Sequence, residues 1–167
     1  MNDKKSNKTI FIAIGCGVLL LVGLICSGIL AVVAIPAFSK YITQSKVSEA
    51  SLNLKTIADS AAIYHSEHKA FPKSTDLTPS TPCCDKCLPD SKIWDQKGWK
   101  DAQFSIERPH YYRYKITTEG NSCTIEAIGD LDCDGIESNF TIKLSADSDD
   151  EVSITPVYMP NPINELE

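Results

Sequence analysis

The chain has 167 residues, a length that suits one globular domain, or one small domain joined to a membrane anchor. Residues 39–167 carry 13 Lys and Arg against 21 Asp and Glu, a net charge of −8, whereas the first 38 residues carry three lysines and one aspartate. A surface this acidic repels a phosphate backbone, so we expect no nucleic acid among the partners.

A long apolar segment follows the basic residues 1–9. Residues 10–38 are a run of 29 positions without a charged side chain, and a transmembrane helix needs about 20. A cleaved export signal has an apolar core of only about 7–15 residues, so a retained transmembrane helix is the better interpretation. Because the lysines precede the segment, we expect a single pass through the inner membrane, with residues 1–9 cytoplasmic and the C-terminal domain periplasmic or extracellular.

Gly15-Cys16 indicates an alternative mode of anchoring, because it resembles the end of a lipoprotein signal. The apolar run before Cys16 is short for the core of such a signal, and the longer apolar stretch follows the cysteine. We therefore favour the transmembrane helix.

Small residues recur along one side of this helix. Gly23, Ser27 and Ala31 stand at every fourth position, a spacing that lets two helices approach closely within lipid. Pro36 removes a backbone hydrogen bond and is expected to kink the helix. The residues predicted to take part in helix packing are Gly23, Ser27, Gly28, Ala31 and Pro36.

Residues 39–69 are predicted to continue the helix as an amphipathic extension that ends before Pro72. Six apolar residues recur there at spacings of three and four, the pattern of a helix that buries one face. His65 and His68 could share a metal, but without a third ligand we interpret them as polar residues near the helix C-terminus. The apolar residues are Val47, Ala50, Leu54, Ile57, Ala61 and Tyr64.

The junction of the two halves carries a family resemblance. Residues 28–38 have the sequence GILAVVAIPAF, and Ser48-Glu49-Ala50 follows in the polar extension. Together they resemble the N-terminal helix of type IV pilins and of the pseudopilins of type II secretion. The resemblance implies a long helix laid on a small antiparallel sheet, and assembly with other subunits through that helix.

Two positions bear on how such a protein would be processed. Family members carry a glycine at the prepilin peptidase cleavage site and a glutamate soon after it. The family spacing from Pro36 places this site near Gly15, and Leu19 stands where the glutamate would be. The cleavage and methylation motif is therefore degenerate, and we expect a minor or accessory pilin or pseudopilin that keeps its N-terminal anchor.

Residues 70–110 are predicted to form a long loop tied down by disulfides, with one helical turn between Trp94 and Trp99. Five of the seven cysteines lie outside the apolar segment, in a part of the chain expected to be exported, where disulfides form. A redox pair of Cys84 with Cys87, or a zinc site, is less favoured because neither has its usual flanking pattern. The disulfide candidates are Cys83, Cys84, Cys87, Cys123 and Cys133, with their pairing left open.

Residues 111–158 are predicted to form an antiparallel sheet. Four β-prone runs are separated by short turns, which favours a meander of consecutive strands. The runs are 111–116, 123–128, 140–144 and 152–157. A long helix followed by such a sheet makes the fold class α+β, and residues 159–167 are left as a C-terminal tail.

The turn after the second run carries an acidic motif. Asp130, Asp132 and Asp134 alternate ahead of Gly135, as in the opening of an EF-hand calcium loop. Ser138 falls at the ninth position of such a loop, but the bidentate glutamate of the twelfth is missing. Because Asp and Gly are also ordinary turn residues, an acidic hairpin turn is the alternative interpretation. We predict a candidate Ca²⁺ site at Asp130, Asp132, Asp134 and Ser138, and no other cofactor.

These predictions favour a membrane-anchored structural or assembly protein of the bacterial cell envelope that resembles a type IV pilin. Its expected partners are the membrane, and copies of itself or other pilin-like subunits that pack against the N-terminal helix. The alternative is an uncleaved, membrane-anchored extracytoplasmic binding module that holds calcium. We expect no enzyme, because the sequence lacks a nucleophile motif, a phosphate-binding glycine loop and a zinc-protease signature.

Overall fold

The structure is a computed structural model of the α+β class with a four-stranded antiparallel sheet, which confirms the predicted fold class. It describes residues 3–84, 86–131 and 133–158, and for 3–13, 29–37, 39–40 and 43 it describes the backbone alone. The elements in chain order are α1 (Asp3–His68), a 3₁₀ turn (Ser91–Trp94), α2 (Lys97–Asp101), β1 (Arg113–Glu119), β2 (Ser122–Gly129), β3 (Ser138–Ala146) and β4 (Val152–Ile154). Contacts divide the chain into two compact units, residues 1–42 and 43–167.

The first unit contains the N-terminal part of α1. Residues 14–28 are all exposed, and they include bulky apolar side chains such as Leu19 and Leu24, 74% and 72% exposed. Among the residues that the structure describes, no helix combines the length and the hydropathy that a membrane crossing requires. The predicted span 10–38 also covers residues 10–13 and 29–37, whose side chains lie outside the described part of the chain. The transmembrane helix therefore stays a prediction.

In the second unit, α1 buries the face that its periodicity indicates. Ala50, Leu54, Ile57 and Ala61 are completely inaccessible to solvent and share one core with the inward side chains of the sheet. Two further members of the stripe, Val47 and Tyr64, are partly buried at its ends. One helical face thus supplies one side of the core and leaves Lys55 and Asp59, between Leu54 and Ala61, in water.

The helix ends at His68, where the backbone turns sharply. Lys69 adopts a left-handed conformation with φ 55°, and its N–H donates to the His65 carbonyl over 2.8 Å. A left-handed residue directly after the last turn is a common way to end a helix and satisfy its last carbonyls. Phe71 then enters the core, and its ring lies 4.5 Å from the ring of His65.

The four strands form a meander in the order β1-β2-β3-β4, with each strand antiparallel to the next. Ile116, Ile125 and Ile142 stand side by side on the three longer strands and form a buried row facing α1. Gly120, with φ 55°, forms the tight turn between β1 and β2, a conformation that glycine adopts without steric cost. The alternation of buried and half-exposed residues along β2 is that of a sheet with one face in the core.

The predicted loop after α1 covers the outer edge of β1. The Thr78 N–H donates to the Tyr114 carbonyl over 2.9 Å, and the Tyr114 N–H donates back over 2.8 Å. Thr75 is bonded to Ile116 in a similar way, through its own N–H and through its hydroxyl. These bonds satisfy an edge that would otherwise expose unpaired backbone groups, so the long loop is part of the sheet architecture.

Aromatic side chains anchor the same loop from the core side. Trp94 and Trp99 are buried edge to face at 5.2 Å, and Phe104 packs against both. The Trp99 indole N–H donates to the Thr78 hydroxyl over 2.9 Å, so its polar atom is satisfied inside the core. The helical turn expected near Trp94 to Trp99 is present as the 3₁₀ turn and α2.

Candidate functional site

Two disulfides lie close together beside the sheet. Cys83 is bonded to Cys87, and Cys84 is bonded to Cys133, with Cα atoms 5.0 and 5.1 Å apart. Cys123 is buried in β2 as a free thiol. Disulfide formation among the candidate cysteines is therefore confirmed. Cys84 and Cys87 take different partners, unlike the two cysteines of a redox pair.

The acidic turn contains Cys133 and therefore lies next to these two disulfides. Both carboxylate oxygens of Asp130 accept backbone N–H groups, from Cys133 at 2.7 Å and from Gly135 at 3.0 Å. Asp134 accepts from the Ile136 N–H at 2.7 Å. These bonds shape the turn in the way that aspartate side chains commonly do.

The structure describes only part of the predicted calcium site. Ser138 donates its hydroxyl hydrogen to the Gly129 carbonyl over 2.9 Å and is buried at the start of β3. Asp132 lies outside the described residues. Within residues 3–84, 86–131 and 133–158, no group of three or more His, Cys, Asp and Glu side chains is arranged to hold a metal. The calcium site remains a prediction, and the observed bonds of Asp130 are those of a turn.

The predicted packing face of the apolar helix is open. A Cβ atom added at Gly23 or Gly28 would meet no atom within 4 Å, apart from the helix itself. The Ser27 hydroxyl donates to the Gly23 carbonyl over 2.8 Å, which satisfies this polar group within its own helix. The side chains of Ala31 and Pro36, which complete the predicted set, lie outside the described residues.

The two helix histidines have separate surroundings. His65 is 2% exposed and packs on Phe71, while His68 is exposed and stacks on Tyr64 with ring centroids 4.1 Å apart. A ring nitrogen of His68 lies 3.1 Å from the Tyr64 carbonyl. Both rings therefore take part in aromatic contacts at the end of α1.

Polar contacts fix α1 on the sheet, and the sequence did not single them out. The Tyr111 N–H donates to a carboxylate oxygen of Glu49 over 2.8 Å, and the Asn53 amide donates to the Tyr114 hydroxyl over 2.8 Å. Burial raises the pKa values of Tyr112 and Tyr114 well above the usual range, so both phenols stay neutral. The neutral Tyr114 hydroxyl thus accepts the Asn53 amide from α1, whereas the buried Tyr112 hydroxyl has no hydrogen-bond partner among the described residues.

Two lysines converge on the same tyrosine. The Lys46 ammonium lies 4.9 Å from the centroid of the Tyr111 ring, and the Lys86 ammonium lies 5.3 Å from it. Both distances are within the range of a cation–π interaction. Lys46 also donates to the Leu131 carbonyl over 3.3 Å. We call Lys46, Lys86 and Tyr111 the lysine–tyrosine cluster. Its three members are far apart in sequence, so no local motif identifies them.

Two surface grooves flank α1 within the second unit. The larger one, about 460 Å³, lies between the helix and residues 106–110, and the smaller one, about 170 Å³, lies between the helix end and α2. The larger groove includes His110, whose Nε2 has no hydrogen-bond partner among the described residues. Neither groove contains an arrangement of nucleophile and base that we recognise as an active site.

Comparisons of the chain with protein-family models, with characterised proteins and with solved structures give no significant match. The residues described above are therefore the basis on which function is inferred.

Proposed function

We propose that the chain is a pilin-like structural or assembly protein of the bacterial cell envelope, anchored in the inner membrane by the N-terminal part of α1. The observation that carries this proposal is the difference in side-chain exposure between two parts of a single helix. Residues 14–28 expose bulky apolar side chains, whereas residues 50–61 bury an apolar stripe under the antiparallel sheet. The two halves of one helix are thus suited to two different environments.

Lipid is the environment that the apolar half favours. Leu, Ile and Val each contribute a favourable free energy of about 0.3–0.6 kcal/mol at the centre of a transmembrane helix, whereas their exposure to water is unfavourable. Large side chains such as Leu20 and Ile25, which are 70% and 57% exposed, have no protein partner within the described residues. The absence of charged residues from 10 to 38 removes the main cost of inserting them.

The disulfides support a location outside the cytoplasm. A bond between Cys84 and Cys133, and a second between Cys83 and Cys87, persist in oxidising compartments and are rare in the cytosol. Residues 1–9 are basic and residues 39–167 acidic, which agrees with an N-terminus on the cytoplasmic side. We therefore propose a periplasmic or extracellular location for the second unit.

Association of neighbouring copies, or of other pilin-like subunits, would use the face that contains Gly23, Ser27 and Gly28. Small side chains let helix backbones come close, and an added Cβ at either glycine would meet nothing in the monomer. Leu19 stands where the pilins that this sequence resembles carry a glutamate, so we propose a minor or accessory subunit that keeps its anchor.

Fractionation and N-terminal analysis of the full-length protein test this proposal. We expect the protein in the inner-membrane fraction, extractable by detergent but not by salt or carbonate, with residue 1 or 2 as its N-terminus. A cysteine placed in residues 1–9 should be protected from an impermeant thiol reagent in intact cells, with its labelling after lysis as control. Recovery of the intact chain in the soluble fraction would contradict the proposal.

Processing is tested in the same preparation. Cleavage next to Gly15, together with recovery in sheared surface material, would show a filament subunit in place of a retained accessory protein. Leu19→Glu introduces the residue type that pilins, which this sequence resembles, carry at this position. If only this variant is cleaved, the identity of residue 19 explains the retained anchor.

A further inference from the structure

The two disulfides differ in how far solvent reaches the residues that form them. Cys84 and Cys133 are both exposed, although they are 49 residues apart in the sequence. Cys83 is half-buried and Cys87 is 2% exposed, so the other bond has one end in the core. A thiolate opens a disulfide by direct attack on one of its sulfur atoms, so access controls the rate. An external thiol therefore reaches the bond between Cys84 and Cys133 first.

The segment 83–88, which contains Cys84, has attachments of its own. The Cys87 N–H donates to the His110 carbonyl over 2.8 Å, and the His110 N–H donates to the Cys87 carbonyl over 3.3 Å. The bond from Cys83 to Cys87 closes the segment into a short loop. These contacts join the segment to the chain just before β1, and none of them involves the sulfur of Cys84.

The β2–β3 turn, which contains Cys133, is also attached independently of the disulfide. The Lys46 ammonium donates to the Leu131 carbonyl over 3.3 Å, and Glu137 is ion-paired with the buried Arg113. The first contact joins one end of the turn to α1, and the second joins its other end to β1. Both ends of the turn therefore stay attached when the disulfide opens.

The bond between Cys84 and Cys133 is thus a cross-link between two segments that other contacts already join to the core. Beside it, the backbone of Cys84 forms a single β-bridge with Asp130. Cys133 has a left-handed backbone with φ 68°, a conformation that residues other than glycine seldom adopt. Without the cross-link, the turn holds this conformation through the bonds that Asp130 accepts from the Cys133 and Gly135 N–H groups. A turn held by so few bonds opens locally without unfolding the sheet.

We propose that the bond between Cys84 and Cys133 is a redox switch, which an external dithiol opens in the folded protein while the bond between Cys83 and Cys87 persists. One thiolate of the dithiol attacks a sulfur atom of the exposed bond, forms a mixed disulfide and releases the other cysteine as a thiolate. The second thiol of the dithiol then displaces the remaining cysteine, and the reagent leaves as a disulfide. Two electrons and two protons pass from the dithiol to Cys84 and Cys133, which end as thiols.

The switch would change a surface of the second unit without unfolding it. Leu88 is 78% exposed at the end of the segment 83–88, and Ile136 is 53% exposed, three residues after Cys133. The oxidised cross-link fixes these two apolar side chains relative to each other, and its reduction lets them move apart. The inference is independent of the proposed membrane anchor, because both disulfides lie within the second unit.

The test follows the order in which the cysteines of the full-length protein become reactive in detergent. Cys16 and Cys26 are free and exposed, so they are first blocked with N-ethylmaleimide. Dithiothreitol is then added, and the thiols that it releases are labelled with iodoacetamide and identified by mass spectrometry. The buried free thiol of Cys123 is an internal control, because it is labelled only when the second unit unfolds.

We expect Cys84 and Cys133 to be labelled together, about tenfold or more faster than Cys83 and Cys87, while Cys123 stays unlabelled. Low concentrations of urea should leave the faster rate unchanged, because the exposed bond reacts in the folded state. The slower rate should rise with urea, because the bond of the buried Cys87 reacts only after an opening that exposes new surface.

Hydrogen exchange then measures the effect of the switch on the turn. The Gly135 N–H should lose protection in the reduced protein and in Cys84→Ala/Cys133→Ala, whereas the Ile125 N–H in the middle of β2 should keep it. The matched control Cys83→Ala/Cys87→Ala removes the other bond and should leave the protection of Gly135 unchanged.

The proposal is overturned if Cys83 and Cys87 are labelled first or at the same rate, or if Cys123 is labelled together with Cys84 and Cys133. Unchanged protection of Gly135 after reduction would also overturn it, because the bond would then control no movement of the turn. These outcomes are the same whether or not the chain is anchored in a membrane. A failure of this inference is therefore distinct from a failure of the proposed function.

Discussion

Removing the disulfide between Cys84 and Cys133 should destabilise the second unit more than removing the one between Cys83 and Cys87. A disulfide stabilises the folded state chiefly by restricting the unfolded chain, and this effect grows with the logarithm of the loop that it closes. The two bonds close loops with sequence separations of 49 and 4 residues. The chain-entropy relation then gives about 4 kcal/mol for the long loop and about 2 kcal/mol for the short one.

The double variants Cys84→Ala/Cys133→Ala and Cys83→Ala/Cys87→Ala each remove one bond without leaving a partner thiol. Urea unfolding of the full-length protein in detergent, followed by the fluorescence of Trp94 and Trp99, measures the free energy of unfolding. With an m value of about 2 kcal/mol per molar, the two midpoints should differ by about 1 M.

The control for these variants is Cys16→Ala/Cys26→Ala, because both cysteines are free and exposed in the apolar segment. Its urea midpoint should equal that of the wild type. Equal losses from the two disulfide variants, or a larger loss from the Cys83–Cys87 variant, would show that loop closure does not control their contributions.

Three further predictions concern the core, the free thiol and the apolar helix. Leu54→Ala should lower the free energy of unfolding by about 2–5 kcal/mol, because it leaves a cavity at a fully buried position. The control Leu52→Ala, at a position 66% exposed, should change this free energy by no more than about 0.5 kcal/mol. Equal urea midpoints for the two variants would contradict the orientation of the helix. Burial raises the pKa of the Cys123 thiol from 9.0 to about 11, so the folded state favours the protonated thiol. The contribution of this thiol to the free energy of unfolding should be fully present below pH 9 and be lost as the pH rises through 11. Cys123→Ala should therefore show a smaller fall in urea midpoint between neutral pH and about pH 10, and an unchanged fall would show that this thiol does not contribute. Gly23→Leu should reduce oxidative cross-linking of full-length copies through Cys16 or Cys26 in membranes, because it adds bulk only where a second helix would pack, and the control Leu24→Ile should not; equal yields would exclude this face.

Local patterns predicted the secondary structure well because they depend on neighbours in the sequence. The three- and four-residue spacing from Ala50 to Ala61 predicted which face of α1 is buried, since a helix repeats every 3.6 residues whatever lies against it. The four β-prone runs predicted the meander, although β1 extends to Glu119, beyond the expected end at residue 116. That extension depends on pairing with β2 across Gly120 and Asn121, which a propensity count does not include.

The long loop shows where such patterns fail. Its Pro and Ser content predicted irregular structure, but Thr75 and Thr78 bond to Ile116 and Tyr114 at the edge of β1, 41 and 36 residues further along the chain. The bond from Cys84 to Cys133 and the convergence of Lys46 and Lys86 on Tyr111 have the same origin. Each joins segments that are distant in the sequence and adjacent only in the folded structure.

By itself, the sequence determined the division into an apolar helix half, an amphipathic half and a four-stranded sheet, because periodicity and hydrophobicity act within a few residues of each position. Only the tertiary structure decided which cysteines pair, which edge of the sheet is covered and which lysines meet at the Tyr111 ring. Those outcomes depend on the distances between Cys84 and Cys133 and between Lys46 and Tyr111. The order of residues along the chain does not determine these distances, because they are set by the packing of α1 and the loops on the strands.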